Sequence, residues 1–69
     1  AAGRPEALSP RELEVYRLLG EGYSTHAIAE ALGVSRRTVE SFYARILEKL
    51  GVPGMEALRR RAAADRQRK

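Results

Sequence analysis

The sequence predicts an all-α fold of four short helices, and three features carry that prediction. Apolar residues recur at intervals of three and four, no stretch alternates apolar with polar, and glycine, proline and serine stand where helices would begin and stop. A chain of 69 residues is one small domain. A flexible lead-in or linker over residues 1–7 and a charged, frayed tail over 65–69 leave 8–64 for the folded part.

The first helix opens at Leu8-Ser9-Pro10-Arg11-Glu12-Leu13. Ser9 can cap it, Pro10 suits a first turn whose N–H groups lack helical partners anyway, and Glu12 closes a capping box three residues after the cap. Leu8 and Leu13 have the spacing of a hydrophobic staple. Val15, Leu18 and Leu19 continue one apolar face until Gly20 and Gly22 break the helix, and Tyr16 and Tyr23 read as packing residues.

Ser24 caps a second helix, Thr25 to Leu32, in which Ile28 and Leu32 share a face and Ala27, Ala29 and Ala31 admit a close neighbour. Gly33 ends it, since glycine enters the left-handed conformation without steric cost, while Val34 plugs the core and Ser35 caps the next helix. Helix, short turn, helix is the spacing of a helix-turn-helix motif.

The third helix, about 36–50, puts Val39, Phe42, Tyr43, Ile46 and Leu50 on one side. Arg37, Glu40, Ser41, Ala44, Arg45 and Glu48 lie opposite, with no bulky apolar side chain among them. Tyr43 is expected at the rim of the core with its hydroxyl in water, the lesser alternative being a hydrogen bond to phosphate. Gly51 stops this helix, and Pro53-Gly54 opens a fourth with Met55, Leu58 and Ala62 in helical register.

Charge is unevenly placed. The chain carries 13 Lys plus Arg against 9 Asp plus Glu, with a pI near 10.1. Residues 1–34 hold three basic and five acidic side chains, whereas 35–69 hold ten basic and four acidic. A polyanion would therefore be met by the second half.

Taken in order, Leu8-Ser9-Pro10-Arg11-Glu12 with Val15, Gly22 followed by Ser24 and Ile28-Ala29, Leu32-Gly33-Val34-Ser35, Thr38-Val39-Glu40 and Ile46-Leu47-Glu48-Lys49-Leu50-Gly51-Val52 resemble the DNA-binding domain of the LuxR/GerE family, the NarL-type response-regulator output domain. The resemblance covers roughly residues 8–62 and implies a tetrahelical helix-turn-helix that binds double-stranded DNA in a sequence-specific way for a bacterial transcription regulator. It implies that the third helix enters the major groove, that the second helix and Lys49 grip phosphates, and that the fourth forms a homodimer contact. Glu40 and Phe42 stand where Lys and His are frequent in that family.

The base-reading candidates are Arg37, Glu40, Ser41 and Ala44. Arg37 can bond guanine O6 and N7 together, or it and Arg36 only neutralise phosphates. Glu40 either accepts from a cytosine amino group or holds Arg36, Arg37 or Arg45. Ser41 and Ala44 permit close approach to base edges, or are neutral surface. Ser24, Thr25, His26, Arg36, Thr38, Arg45 and Lys49 form the phosphate set. Met55, Leu58 and Ala62 are the expected dimer residues, and Arg59-Arg60-Arg61 is a solvated face with added pull on DNA.

Other chemistry finds little footing. There is no cysteine, and His26 is the only histidine, so no metal or cofactor is expected. No nucleophile has a base beside it, and the glycine patterns of phosphate loops are missing, so no enzymatic activity is expected. No span or signal segment appears, and the expected location is the bacterial cytoplasm, at the nucleoid when bound, with RNA polymerase as a further partner and no membrane. Two competing readings remain. One is a promoter binder like the fourth region of a sigma factor, against which the fourth helix argues. The other is a protein-interaction module docking through the helix-four face, whose binding would not weaken with salt as DNA binding does.

Overall fold

Ser9, Ser24 and Ser35 each stand in extended backbone and accept a hydrogen bond from the backbone N–H three residues on, at 3.2, 3.1 and 3.1 Å. In this computed structural model, which describes residues 7–67, they open α1 (Pro10–Gly20), α2 (Thr25–Leu32) and α3 (Arg36–Leu50). At α1 the capping box is complete, because the Ser9 N–H also donates to Glu12 Oε1 at 2.9 Å. A fourth helix, α4 (Met55–Gln67), starts with the Leu58 N–H on the Gly54 carbonyl, and no strand occurs among the described residues.

Helices α2 and α3 stop in the same way. Gly33 and Gly51 adopt left-handed backbone, with φ of 70° and 67°. The turn this makes lets the Val34 N–H reach the Ala29 carbonyl and the Val52 N–H reach that of Leu47, each at 3.0 Å, so carbonyls that the helix leaves over are satisfied. Val34 and Val52 are thereby folded back against the core.

The apolar faces meet at one centre. Helix α1 lies against both α3 and α4, and α2 packs on α3. Val15, Ile28, Val39, Ile46 and Leu58 are fully buried, each burial being worth roughly 1.5–3 kcal/mol. Leu13, Leu18, Leu32, Phe42 and Met55 fill the margin.

The fourth helix differs most from expectation. Leu58 and Ala62, read as residues facing a second copy, are 0 % and 2 % exposed and close α4 onto α1, so they belong to the core of a single chain. Helical order also continues past residue 64. Asp65 follows Ala62 by three residues on the same stripe, and its Oδ2 accepts from the Tyr16 hydroxyl. Burial, then the Asp65 carboxylate, pushes the Tyr16 phenol well above the ordinary tyrosine value. Arg61 Nη1 donates to the Leu50 carbonyl at 3.3 Å, which ties α4 to the end of α3. Tyr23 is 38 % exposed and lies outside the core, and Tyr43 is buried at 5 % exposure, not at a wet rim. Most of the expected lead-in, residues 1–6, and the last two residues of the expected tail lie outside the described residues.

Helices α1 and α4 come close together at the end of α1. A Cβ on Gly20 would lie 2.5 Å from the Ala62 carbonyl oxygen, a backbone atom that cannot swing aside. Gly20→Ala is therefore expected to cost about 1–3 kcal/mol and to lower Tm by roughly 5–15 °C, read by thermal unfolding. An unchanged Tm would mean that α4 docks less closely than described.

Candidate nucleic-acid interface

Two elements bring the expected site residues to the surface. On α3, Arg37, Glu40, Ser41, Ala44, Arg45 and Glu48 are all exposed and share the arc opposite Val39, Ile46 and Leu50. Arg36 is exposed at the first turn, and Thr38 is half-buried with its hydroxyl 3.0 Å from Ser35 Oγ. The arc from Arg37 to Glu48 runs roughly 16 Å along the axis, and its small central residues Ser41 and Ala44 leave nothing projecting at the middle.

The pairing considered for Glu40 is not made. Among the described residues neither Glu40 nor Glu48 forms an ion pair, and Arg36, Arg37 and Arg45 have no acidic partner. Three guanidinium groups thus stand on one helix without a salt bridge among the described residues, and Glu40 and Glu48 share that helix as acceptors.

The start of α2 meets α3 at Tyr43. Ser24 and His26 are exposed, and His26 Nε2 lies 3.4 Å from Glu30 Oε2 on the next turn. Thr25 is half-buried, with its Oγ1 3.1 Å from the Tyr43 hydroxyl. That bond was invisible in the sequence, where Tyr43 reads as a rim residue with its hydroxyl in water. A clue existed, since a buried tyrosine hydroxyl needs a partner.

Lys49 is the residue whose setting differs from the expected one. Its Nζ lies 2.7 Å from Glu12 Oε1, and the Glu12 side chain is only 3 % exposed while that of Lys49 is 40 % exposed. The hydrogen bond from Lys49, followed by that from the Ser9 N–H, holds the Glu12 carboxyl below the ordinary 4.5 despite burial, which acts the other way. Lys49 thus anchors α3 to α1, a role the phosphate expectation did not include. The sequence offered one sign of it: Lys49 follows the buried Ile46 by three residues and sits at the margin of the core face.

Met55 is half-buried at the start of α4, whereas Leu58 and Ala62 point inward. The described residues contain no cluster of His, Asp and Glu that could hold a metal ion, and no helix long and apolar enough to cross a membrane.

Several known bacterial regulators share this sequence pattern. The family model described as "Bacterial regulatory proteins, luxR family" matches residues 6–62. The transcriptional regulatory protein UhpA of Salmonella typhimurium is 46 % identical over 52 residues, which cover 75 % of this chain and 26 % of that protein. UhpA of Escherichia coli is 41 % identical over 61 residues, covering 88 % and 31 %. The oxygen regulatory protein NreC of Staphylococcus aureus is 49 % identical over 45 residues, covering 65 % and 21 %. The chain spans about a quarter to a third of the two UhpA proteins, and no solved structure matches it.

The Glu12–Lys49 pair has a signed pH consequence. A carboxylate whose folded pKa is lowered adds stability that is complete above its unfolded value and is lost as pH falls through the folded one. Lys49→Met should cost about 1–3 kcal/mol at pH 7, because Glu12 then keeps a buried charge without its cation. The Tm gap to the unaltered chain should narrow as pH is lowered from 5 towards 3; a gap constant with pH would show that Lys49 contributes packing alone.

Proposed function

Because this chain belongs to the luxR family of bacterial regulatory proteins, we propose that it is the module of a longer transcription regulator that binds double-stranded DNA by sequence, with α3 in the major groove. The observation that carries the reading is the exposed arc of α3, on which Arg37 and Arg45 have no acidic partner among the described residues, with Arg36 exposed and likewise without one on the first turn. Exposed guanidinium groups without an acidic partner attract phosphates and can also bond guanine edges. A groove about 12 Å wide admits a helix whose central residues are as small as Ser41 and Ala44.

In this reading Arg37 bonds guanine O6 and N7, Glu40 accepts from a cytosine amino group, and Ser41 and Ala44 lie against base edges, with Ala44 able to meet a thymine methyl. Ser24, Thr25 and His26 at the start of α2 meet the backbone, with Arg36, Thr38 and Arg45 beside them. Lys49 reaches a phosphate only with the part of its ammonium not used by Glu12. The sigma-factor and interaction-module readings gain no support from the family match.

Two copies would act together on inverted half-sites. The described residues measure 32 × 22 × 21 Å, so two copies centred one turn of DNA apart, about 34 Å, fit on one side of the duplex. The contact between them would use the outward residues of α4, such as Glu56 and Arg60, with Met55 at its edge, since Leu58 and Ala62 are turned inward. RNA polymerase is a proposed further partner of such a complex, and the bacterial cytoplasm its proposed location.

Selection of randomised duplexes by the purified domain tests this directly. A short inverted repeat should be enriched, and a single half-site should bind at least tenfold more weakly; equal binding would remove the two-copy reading. Binding should weaken steeply with salt, and a salt-independent interaction would displace DNA as the partner. Arg37→Ala should relax the preference at one position of the site by about 1–3 kcal/mol. Equal weakening on every sequence would leave Arg37 a phosphate contact only.

A further inference from the structure

We infer that Tyr43 is a positioning residue for DNA recognition: its hydroxyl, bonded to Thr25, latches the first turn of α2 to the turn of α3 that carries the base-reading residues. The inference rests on the DNA-binding reading above and names a residue that neither touches DNA nor belongs to the exposed arc.

Tyr43 lies between the two functions of α3. Its ring belongs to the core face, 5 % exposed and packed with Val39 and Ile46. In the chain, however, it directly precedes Ala44 and Arg45 and follows Glu40 and Ser41 by three and two residues, so it shares a turn with the exposed arc. The hydroxyl leaves the apolar core sideways and meets Thr25 Oγ1 at 3.1 Å. Thr25 is the first residue of α2, between Ser24 and His26, which face solvent beside α3.

Apolar packing alone fixes the distance between α2 and α3 better than it fixes sliding or rotation, because it is not directional. Ile28, Ala29 and Val39 supply that packing. A hydrogen bond between hydroxyl groups is directional, and in a half-buried place it weakens steeply as the angle departs from linear. One such bond at the end of α2 nearest the arc sets the register between the groups expected to meet the backbone and those expected to meet bases. Holding a recognition constellation within about half an ångström by supporting hydrogen bonds distinguishes a selective site from a loose one. Phosphate contact by itself, carried by long flexible arginines, tolerates a loose register. The latch should therefore matter for selectivity more than for adhesion.

Tyr43→Phe removes the hydroxyl and keeps the ring. Affinity is measured on the duplex selected by the unaltered domain and on an unrelated duplex of equal length, at one salt concentration, with Tm recorded alongside. Tyr43→Phe should bind the selected duplex about three- to tenfold more weakly, the range expected when one hydrogen bond is lost. The unrelated duplex should change by less than about twofold. Thr25→Val should also weaken binding to the selected duplex, and the loss in the double substitution should be smaller than the sum of the two single losses, since the bond between the two hydroxyls is lost only once. Equal affinity of Tyr43→Phe and the unaltered domain for the selected duplex would overturn the inference while leaving DNA reading intact. Parallel loss on both duplexes with a falling Tm would overturn it too, leaving Tyr43 a purely structural residue. If the unaltered domain selects no sequence, the DNA-reading premise itself fails, and the latch fails with it.

Discussion

A carboxylate buried to 2 % exposure sits where α1 begins, and the arrangement of the other helices depends on how its charge is met. Glu12 takes the Ser9 N–H, so it caps the start of α1, and it takes Lys49 Nζ, so it reaches the last turn of α3. Burying an ion without partners costs several kcal/mol, which makes any packing of α3 that withdraws Lys49 unfavourable. Once α3 is held against α1 at that end, Leu50 enters the core, and its carbonyl is placed for Arg61 of α4. A local capping interaction thus becomes a constraint on three helices.

The division of α3 into two faces follows from this anchoring. Val39, Tyr43, Ile46 and Leu50 are committed to the core, and the arc from Arg37 to Glu48 is left to solvent without any acidic partner for its arginines among the described residues. A protein gains little stability from such an arrangement, since the charges of the arc form no close surface pair. It suits a surface whose neutralising charge arrives from outside. The rigid support beneath the arc comes from the same helix, so positions that read and positions that pack are one residue apart.

The helix-turn-helix angle has a comparable origin. Gly33 turns the chain with φ of 70°, Val34 is returned to the core by its bond to Ala29, and Ser35 starts α3 at once. Three residues therefore contain the stop, the plug and the start, which leaves the two helices little freedom relative to each other. The Thr25–Tyr43 bond closes the open end of that pair.

Local chemistry is legible in the sequence by itself. Serine caps, the glycine stops and the apolar rhythm give α1, α2 and α3 within a residue or two and the start of α4, because each depends on contacts inside one turn of chain. The outward arc of α3 is readable for the same reason, and so is the resemblance to the LuxR/GerE family. What the tertiary structure alone decided concerns partners far apart in sequence. Glu12 with Lys49, Tyr16 with Asp65 and Thr25 with Tyr43 are separated by 37, 49 and 18 residues, and no periodicity encodes them. The inward turn of Leu58 and Ala62 belongs to the same group: an amphipathic helix shows that one face will be covered, and only the position of α1 settles that the cover is the chain itself. Helical register is a property of neighbours in sequence, whereas the choice of what covers a face is made by the packing of the whole domain.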